Sequence, residues 1–112
     1  MDWTTRLNKV MDYVEASVHG EISEEEISKI AACPYSMFQS SFSQIVGIPF
    51  SEYVRRRRLT MAAYELLNTD RKLLDIAMDY GYQSDDAFRV AFKNLYGITP
   101  AEVRKSNPSL VF

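Results

Sequence analysis

The chain has 112 residues, of which 46% are hydrophobic and 12% aromatic, so it is long and apolar enough for one domain with a buried core. Thirteen lysines and arginines against fifteen acidic residues give a net charge of −2, and this overall charge does not favour a nucleic-acid partner. A single cysteine excludes an internal disulfide framework and fits a reducing cytoplasm. With one histidine, the sequence predicts no metal site and no cofactor.

Apolar residues recur at steps of three and four positions along most of the chain, which predicts an all-α fold of about seven helices. The predicted helices cover about residues 2–18, 23–32, 35–46 and 51–68, a short segment through Ile76 and Ala77, residues 85–96, and a last short helix that begins at Pro100. The core positions expected in the first four helices are Trp3, Leu7, Val10, Met11, Val14 and Val18; Ile27, Ile30 and Ala31; Phe38, Phe42 and Ile45; and Val54, Met61, Ala62 and Leu66.

Short polar residues mark the starts of two helices. Ser23 with Glu26 three residues later predicts a capping box, in which the hydroxyl and the carboxylate satisfy opening amides of the second helix. That helix is expected to break at Pro34. Thr99 is expected to cap the last helix, and Pro100 suits the first helical position because its missing amide costs nothing there.

Four consecutive arginines, residues 55–58, lie in the long fourth helix. They span about 300° around the helix axis, so they cannot all face one ligand, and two of them are expected to meet phosphate. Either Arg57 or Arg58 continues the apolar line from Val54 to Met61, where a guanidinium usually lies along the core edge in a structural ion pair. For any one arginine, phosphate contact and structural pairing are equally well supported.

The most informative pattern is an internal repeat. Five residues around the third helix reappear at the same spacing 50 positions later; the two sets are Phe38, Phe42, Gly47, Ile48 and Glu52, and Phe88, Phe92, Gly97, Ile98 and Glu102. Because the whole register repeats, it predicts one supersecondary unit that occurs twice. Two short helices with a tight break between them are typical of a helix-turn-helix, so the repeat predicts two such motifs.

The predicted connecting helix is compatible with DNA binding. Recognition helices of such motifs lie in the major groove, and groove faces on one side of DNA recur every ~34 Å. A helix of 18 residues is about 27 Å long, which suits two such helices one turn of DNA apart.

Several segments together resemble the AraC/XylS family of bacterial transcription regulators. They are FSEYVRRRRLTMAA at residues 50–63, DIAMDYGYQS at 75–84, Ala87-Phe88 with Ala91-Phe92-Lys93, and GITPAE at 97–102. The resemblance covers roughly residues 6–106. It implies a DNA-binding domain over about residues 1–106, with one helix-turn-helix at about 23–46, a linker helix at about 51–68 and a second helix-turn-helix at about 73–96. Such a domain is expected to bind promoter DNA as one unit and to recruit or reposition RNA polymerase.

The resemblance implies that the first recognition helix, about 35–46, presents five side chains to DNA: Ser36, Met37, Gln39, Ser40 and Ser43. Gln39 is the best candidate for base contact, because its amide can bond N6 and N7 of adenine together. Without the resemblance, an exposed glutamine on a solvated face is the better interpretation. Ser40 stands where the family has arginine and Pro34 where it has a serine cap, so this helix is expected to bind weakly or to tolerate many sequences.

The second recognition helix, about 85–96, is expected to present Asp85, Asp86, Arg89, Val90 and Lys93. Arg89 and Lys93 lie one turn apart and are expected to meet a base edge and a phosphate. The two aspartates suit the positive end of the helix macrodipole, although they would repel nearby phosphates. Val90 departs from the arginine that is common in the family. From the fourth helix, Arg55 and Arg56 complete the set of expected DNA contacts.

Charge is unevenly distributed along the chain. Residues 1–34 hold three basic and seven acidic side chains, whereas residues 35–112 hold ten and eight. The acidic cluster, chiefly Glu21, Glu24, Glu25 and Glu26, is expected to face away from DNA. A solvated helix start explains it, and a surface that contacts the polymerase or another partner is the sharper alternative.

Enzyme classes are not supported by the sequence. Cys33 follows two alanines and precedes Pro34, as a small buried residue would, and His19 has no spaced ligand or base partner. No glycine-rich phosphate loop, zinc-protease motif or nucleophile elbow occurs.

The sequence therefore predicts a cytoplasmic, sequence-specific DNA-binding transcription regulator with no membrane segment, whose partner is double-stranded promoter DNA. The alternative is a helical protein-interaction module with weak or lost DNA affinity. The last residues, 107–112, end on Leu110-Val111-Phe112, which is typical of the start of a strand. We expect them to begin a linker or an effector-sensing domain of a longer chain. An effector ligand is expected to bind only through such a domain and not through residues 1–106.

Overall fold

The computed structural model describes residues 2–105, and its regular structure within that range is entirely helical. The predicted all-α fold with seven helices is confirmed. The helices are α1 (Trp3–Ala16), α2 (Glu24–Ala31), α3 (Tyr35–Val46), α4 (Phe50–Asn68), α5 (Leu73–Asp79), α6 (Asp85–Tyr96) and α7 (Pro100–Lys105). The strand expected in residues 107–112 lies outside the described residues.

The chain divides within α4, after Arg55, into two compact units. In the first unit, α1 packs on α2 and α2 packs on α3. In the second unit, α5 packs on α6 and α6 packs on α7. Each unit therefore contains one helix-turn-helix, formed by α2 and α3 or by α5 and α6, and in each case an additional helix supports it.

The core of each unit is built on two phenylalanines one turn apart. Phe38 and Phe42 of α3 are fully buried, with ring centroids 5.8 Å apart, and Phe88 and Phe92 of α6 are equally buried at 5.7 Å. In the first unit, Phe50 meets both rings edge-on at 5.0 and 5.2 Å. Aromatic pairs in this geometry contribute about 0.5–1.5 kcal/mol beyond the area they bury. The 50-residue repeat is thus a repeat of core packing.

Both recognition helices end in the same way. Gly47 and Gly97 adopt left-handed conformations, with φ of +90° and +77°, and their amides donate to the carbonyls of Ser43 and Lys93. A residue with a Cβ is strained at such a φ, so glycine is the natural helix end. The following helix then starts at the same distance in both units.

The helix starts differ from the prediction in one case. Thr99 and Glu102 form a complete capping box, in which each side chain accepts a hydrogen bond from the other residue's amide, at 3.2 and 3.0 Å. At the start of α2, the Ser23 hydroxyl accepts from the Glu26 amide at 3.2 Å, but the Ser23 amide donates to Tyr13 Oη at 2.9 Å. The predicted reciprocal bond is therefore replaced by a contact with α1, which ties α2 to the helix before it.

Some predicted core positions are wrong. Ile45 is 57% exposed, because it lies in the last turn of α3 beyond the two phenylalanines. Six other predicted core residues are only half-buried: Trp3, Leu7, Met11, Ile30, Val54 and Met61. The last two are in α4. The buried positions of that helix are Phe50, Leu59, Ala62, Ala63 and Leu66.

The end of α4 is held by a long-range contact. The Arg104 guanidinium on α7 donates to the Leu66 carbonyl at 3.2 Å and to the Thr69 carbonyl at 3.1 Å, and it also contacts the carbonyl of Arg71. The last carbonyls of a helix have no partner within the helix, so a cation in this position satisfies them and also suits the negative end of the helix dipole. Arg104 thereby ties α7 to the chain between α4 and α5.

A buried tyrosine joins α4 to α5. Tyr80 is 2% exposed, and its hydroxyl bonds to the Glu65 carboxylate. Glu65 and Asp79 also share Arg71, at 3.0 and 2.7 Å. Burial raises the pKa of the Tyr80 phenol well above its ordinary value, and the hydrogen bond and negative charge of Glu65 raise it further. This network positions the first helix of the second helix-turn-helix.

The raised pKa of Tyr80 predicts alkaline destabilisation. Below pH 10, the phenol is protonated in both the folded and the unfolded chain, and its contribution to stability is complete. Above pH 10, the unfolded chain loses this proton while the folded chain keeps it, so the free energy of unfolding should fall as pH rises. Urea unfolding at pH 8 to 11 measures how steeply the free energy of unfolding falls with pH. Tyr80→Phe should make this slope smaller.

The control for this experiment is Tyr64→Phe, since Tyr64 is 46% exposed. Tyr35 also has a raised pKa because of its burial, so part of the slope should remain in the Tyr80 variant. An equal loss of slope in the Tyr64 variant would show that Tyr80 is not the responsible group.

Candidate nucleic-acid interface

The outward face of each recognition helix follows from its buried phenylalanines. A residue two positions away lies about 200° around the helix. Ser40 is two residues from both Phe38 and Phe42, and Val90 is two residues from both Phe88 and Phe92. These two residues therefore project directly away from the core of their units, and both are exposed.

In α3, the five residues predicted to contact DNA lie on this outward half of the helix. Ser36, Gln39 and Ser40 are exposed, Met37 is 54% exposed, and Ser43 is half-buried. No residue of α3 is charged. The helix begins at Pro34, which provides no side-chain cap, as the sequence indicates. Base contact through α3 would therefore depend on neutral hydrogen bonds and apolar contacts.

The Gln39 side chain lies near the Tyr35 phenol, one turn earlier in the helix. Burial raises the pKa of the Tyr35 phenol and the charge of Glu24 adds to this effect, while the nearby Gln39 side chain opposes it. A spacing of four residues on a helix permits this contact.

In α6, three of the five predicted residues, Asp85, Asp86 and Arg89, form two ion pairs that share the arginine. Arg89 lies 3.3 Å from an Asp85 oxygen and 3.2 Å from an Asp86 oxygen, so both aspartates share its guanidinium. Lys93 is exposed one turn further on, and Val90 is 61% exposed. The Ser84 hydroxyl caps the helix by accepting from the Ala87 amide at 3.1 Å.

The contact of the two aspartates with Arg89 adds to their predicted role at the helix start. Spacings of three and four residues place them on the same helix face, so this signal was present in the sequence. Each pair is exposed and contributes little to stability. The pairs matter for the electrostatics of this surface, because an arginine with two acidic partners presents less net positive charge to a phosphate.

The arginines of α4 also differ from one another. Arg55, in the first unit, forms a two-point contact with Glu52, with distances of 2.9 and 2.7 Å. In the second unit, Arg56 is exposed, whereas Arg57 and Arg58 are half-buried. Arg57 lies 3.9 Å from the Met61 sulfur. Of the two arginines predicted to contact DNA, Arg56 is the more exposed.

Other kinds of site are not apparent in the described part of the chain. Residues 2–105 contain no cluster of three or more histidine, cysteine or acidic side chains that would hold a metal ion. None of the helices within this range is long and apolar enough to cross a membrane.

Two helix-turn-helix units, each with an exposed outer face on its second helix, define the class of DNA-binding domains. Comparison with known proteins agrees with this class. A helix-turn-helix domain family matches residues 27–106. The regulator YbfP of Bacillus subtilis is 34% identical over 93% of this chain and 35% of its own length. The transcriptional activator AarP of Providencia stuartii is 33% identical over 90% of this chain and 75% of its own length.

Solved structures show the same fold. An AraC-type regulator from Chromobacterium violaceum superposes with a TM-score of 0.86 at 24% identity, over 95% of this chain and 96% of that one. The DNA-binding domain of AdpA, solved in complex with a target DNA, superposes with a TM-score of 0.78 at 22% identity, over 89% of this chain and 90% of that one.

The chain belongs to the AraC-type helix-turn-helix family of DNA-binding transcription regulators. The predicted resemblance is therefore confirmed. The chain spans about a third of the length of YbfP and three quarters of the length of AarP.

The aspartates of α6 give a testable prediction. Replacing both in an Asp85→Asn, Asp86→Asn variant removes two negative charges and releases Arg89. Affinity for non-specific duplex DNA should rise several-fold at low salt, and the slope of log affinity against log salt should steepen by about one phosphate contact. Fluorescence anisotropy of a labelled duplex at several salt concentrations measures both.

The matched control is Glu24→Gln, Glu25→Gln, which removes two first-turn carboxylates from α2 instead. Unchanged affinity in the α6 variant would contradict an electrostatic effect of the Arg89 pairs. A loss of affinity confined to cytosine-containing sites would instead assign the carboxylates to hydrogen bonds from cytosine N4.

Proposed function

We propose that this chain regulates transcription by inserting both recognition helices, α3 and α6, into major-groove faces of promoter DNA. The observation on which this depends is the repeated arrangement in which two buried phenylalanines fix the inner face of each helix and leave the first two turns of the outer face exposed. Recognition helices contact base edges through their N-terminal residues, which are the exposed ones here.

The side chains divide into base contacts and phosphate contacts. Gln39 suits adenine through a bidentate amide contact, worth about 1–3 kcal/mol of discrimination. Arg89 suits a base edge once its aspartate partners are displaced. Lys93, Arg55 and Arg56 suit phosphates, which position the protein on DNA without specifying the sequence.

The whole protein has further partners in this proposal. RNA polymerase is the natural recipient of regulation by a promoter-bound protein, and the bacterial cytoplasm is where promoter DNA lies. An effector ligand would act through a part of the protein other than residues 2–105. The 35% coverage of YbfP supports a regulator that contains more than a DNA-binding domain.

One observation favours a second function. Leu74 and Met78 of α5 lie one turn apart and are 45% and 60% exposed. An exposed apolar pair on a helix suits a protein partner, which fits the alternative of an interaction module. A module of this kind would bind DNA weakly and with little dependence on salt.

Selection from a pool of random duplexes separates the two functions. The chain should retain sequences that share two short blocks about one helical turn apart, and Arg89→Ala should abolish the enrichment of one block. Absence of any retained duplex, even at low salt, would contradict DNA binding and favour the interaction module.

The phosphate contacts predict a graded salt dependence on the selected duplex. Lys93→Gln and Arg56→Gln should each weaken binding and reduce the salt slope by about 1, because each removes one counterion-releasing contact. Lys9→Gln on α1 is the matched control and should leave the slope unchanged. If the salt slopes of all three variants were equal, Lys93 and Arg56 would not be phosphate contacts.

A further inference from the structure

We infer that Val90 and Met37 contact thymine methyl groups, so that each of the two blocks in the bound DNA contains a thymine that is recognised by its methyl. This inference rests on the proposed function and adds a base preference to it. It concerns two exposed apolar side chains in the first two turns of the recognition helices, Met37 of α3 and Val90 of α6.

Val90 occupies the centre of the outward face of α6. It is two residues from both Phe88 and Phe92, and it is 61% exposed. Arg89 precedes it and Lys93 follows one turn later, so this apolar side chain lies among charged ones. Valine also has a lower helix propensity than the lysine or glutamine that usually covers a solvated helix face. Neither core packing nor helix stability therefore accounts for it.

Met37 lies in the first turn of α3 and is 54% exposed. Its neighbours on the outward face are the hydroxyls of Ser36 and Ser40, which are short enough for the longer methionine side chain to project beyond them. The flexible thioether adapts to irregular apolar surfaces. Met37 is thus an exposed apolar side chain in the first turn of α3, the end of the helix that would enter a groove in the proposed complex.

The major groove offers one apolar group to such side chains. The edges of adenine, guanine and cytosine present hydrogen-bond donors and acceptors there, whereas thymine adds its 5-methyl group. A valine or methionine against any of the other edges would desolvate polar atoms without replacing their hydrogen bonds. Apolar contact at these two positions therefore favours thymine.

Deoxyuridine tests this inference directly, because it differs from thymidine only by the missing methyl. The probe is the duplex selected from the random pool, with each thymine replaced in turn by uracil. Binding of the unmodified chain should weaken about fourfold at one thymine in each block and should be unchanged elsewhere, since burying one methyl-sized group contributes about 0.8 kcal/mol.

Variants assign each thymine to its side chain. Val90→Ala should weaken binding to the thymine duplex by a similar factor. In this variant, uracil should no longer change the affinity at one block but should still weaken binding at the other. Met37→Gln should have the same effects with the two blocks exchanged. Both positions are exposed, so neither change removes a core contact. Met78→Gln is the matched control, because Met78 is a 60% exposed methionine on α5, and it should leave both responses intact.

The outcomes separate this inference from the proposed function. If selected duplexes bind but no uracil substitution changes the affinity, the thymine contacts are wrong and DNA binding stands. If the responses persist in Val90→Ala and Met37→Gln, other residues contact the methyls and the assignment fails. If no duplex is selected at all, the proposed function fails with it.

Discussion

The two phenylalanine pairs, Phe38 with Phe42 and Phe88 with Phe92, fix how each recognition helix is oriented in its unit. Each pair occupies one side of a twelve-residue helix and is completely buried, so the rotation of that helix about its axis is fixed. Losing one such ring would cost about 3–5 kcal/mol, a large part of the stability of a domain of this size. A protein that binds through a helix face needs this rigidity, because a rotation of one residue would present different side chains.

The repeat made this arrangement predictable from the sequence, since spacing alone places Phe38 with Phe42 and Gly47 at the end of the same helix. What could not be predicted depends on contacts between distant segments. The Tyr13 hydroxyl takes the Ser23 amide from the expected capping box, and Arg104 binds carbonyls more than thirty residues away. Such contacts leave no periodic signal. Ile45 was misassigned for a related reason, because periodicity does not show where a helix extends past its core.

The ion pairs of the candidate interface, unlike these long-range contacts, join residues that are close in the sequence. Glu52 with Arg55, and Asp85 and Asp86 with Arg89, are spaced by three or four residues, so their pairing was accessible from the sequence. Arg55 is expected to meet phosphate and Arg89 a base edge or a phosphate, and each of them also has an acidic partner on its own helix. Local pairs and phosphate are competing partners for the same guanidinium, and an exposed pair contributes at most about 1 kcal/mol. DNA can therefore displace it, although at a cost in affinity.

The two recognition helices differ in chemistry although they share a framework. Helix α3 has no charge, and the two basic residues of α6 lie among two acidic ones, so neither helix supplies the unopposed positive surface that drives non-specific DNA binding. With a net charge of −2, the chain also lacks general attraction to DNA. In the proposed complex, affinity would come largely from contacts at the bases, which are amide hydrogen bonds from Gln39 and apolar contacts from Met37 and Val90. Such a surface would bind non-specific DNA weakly, because a sequence without the matched bases offers it little electrostatic attraction.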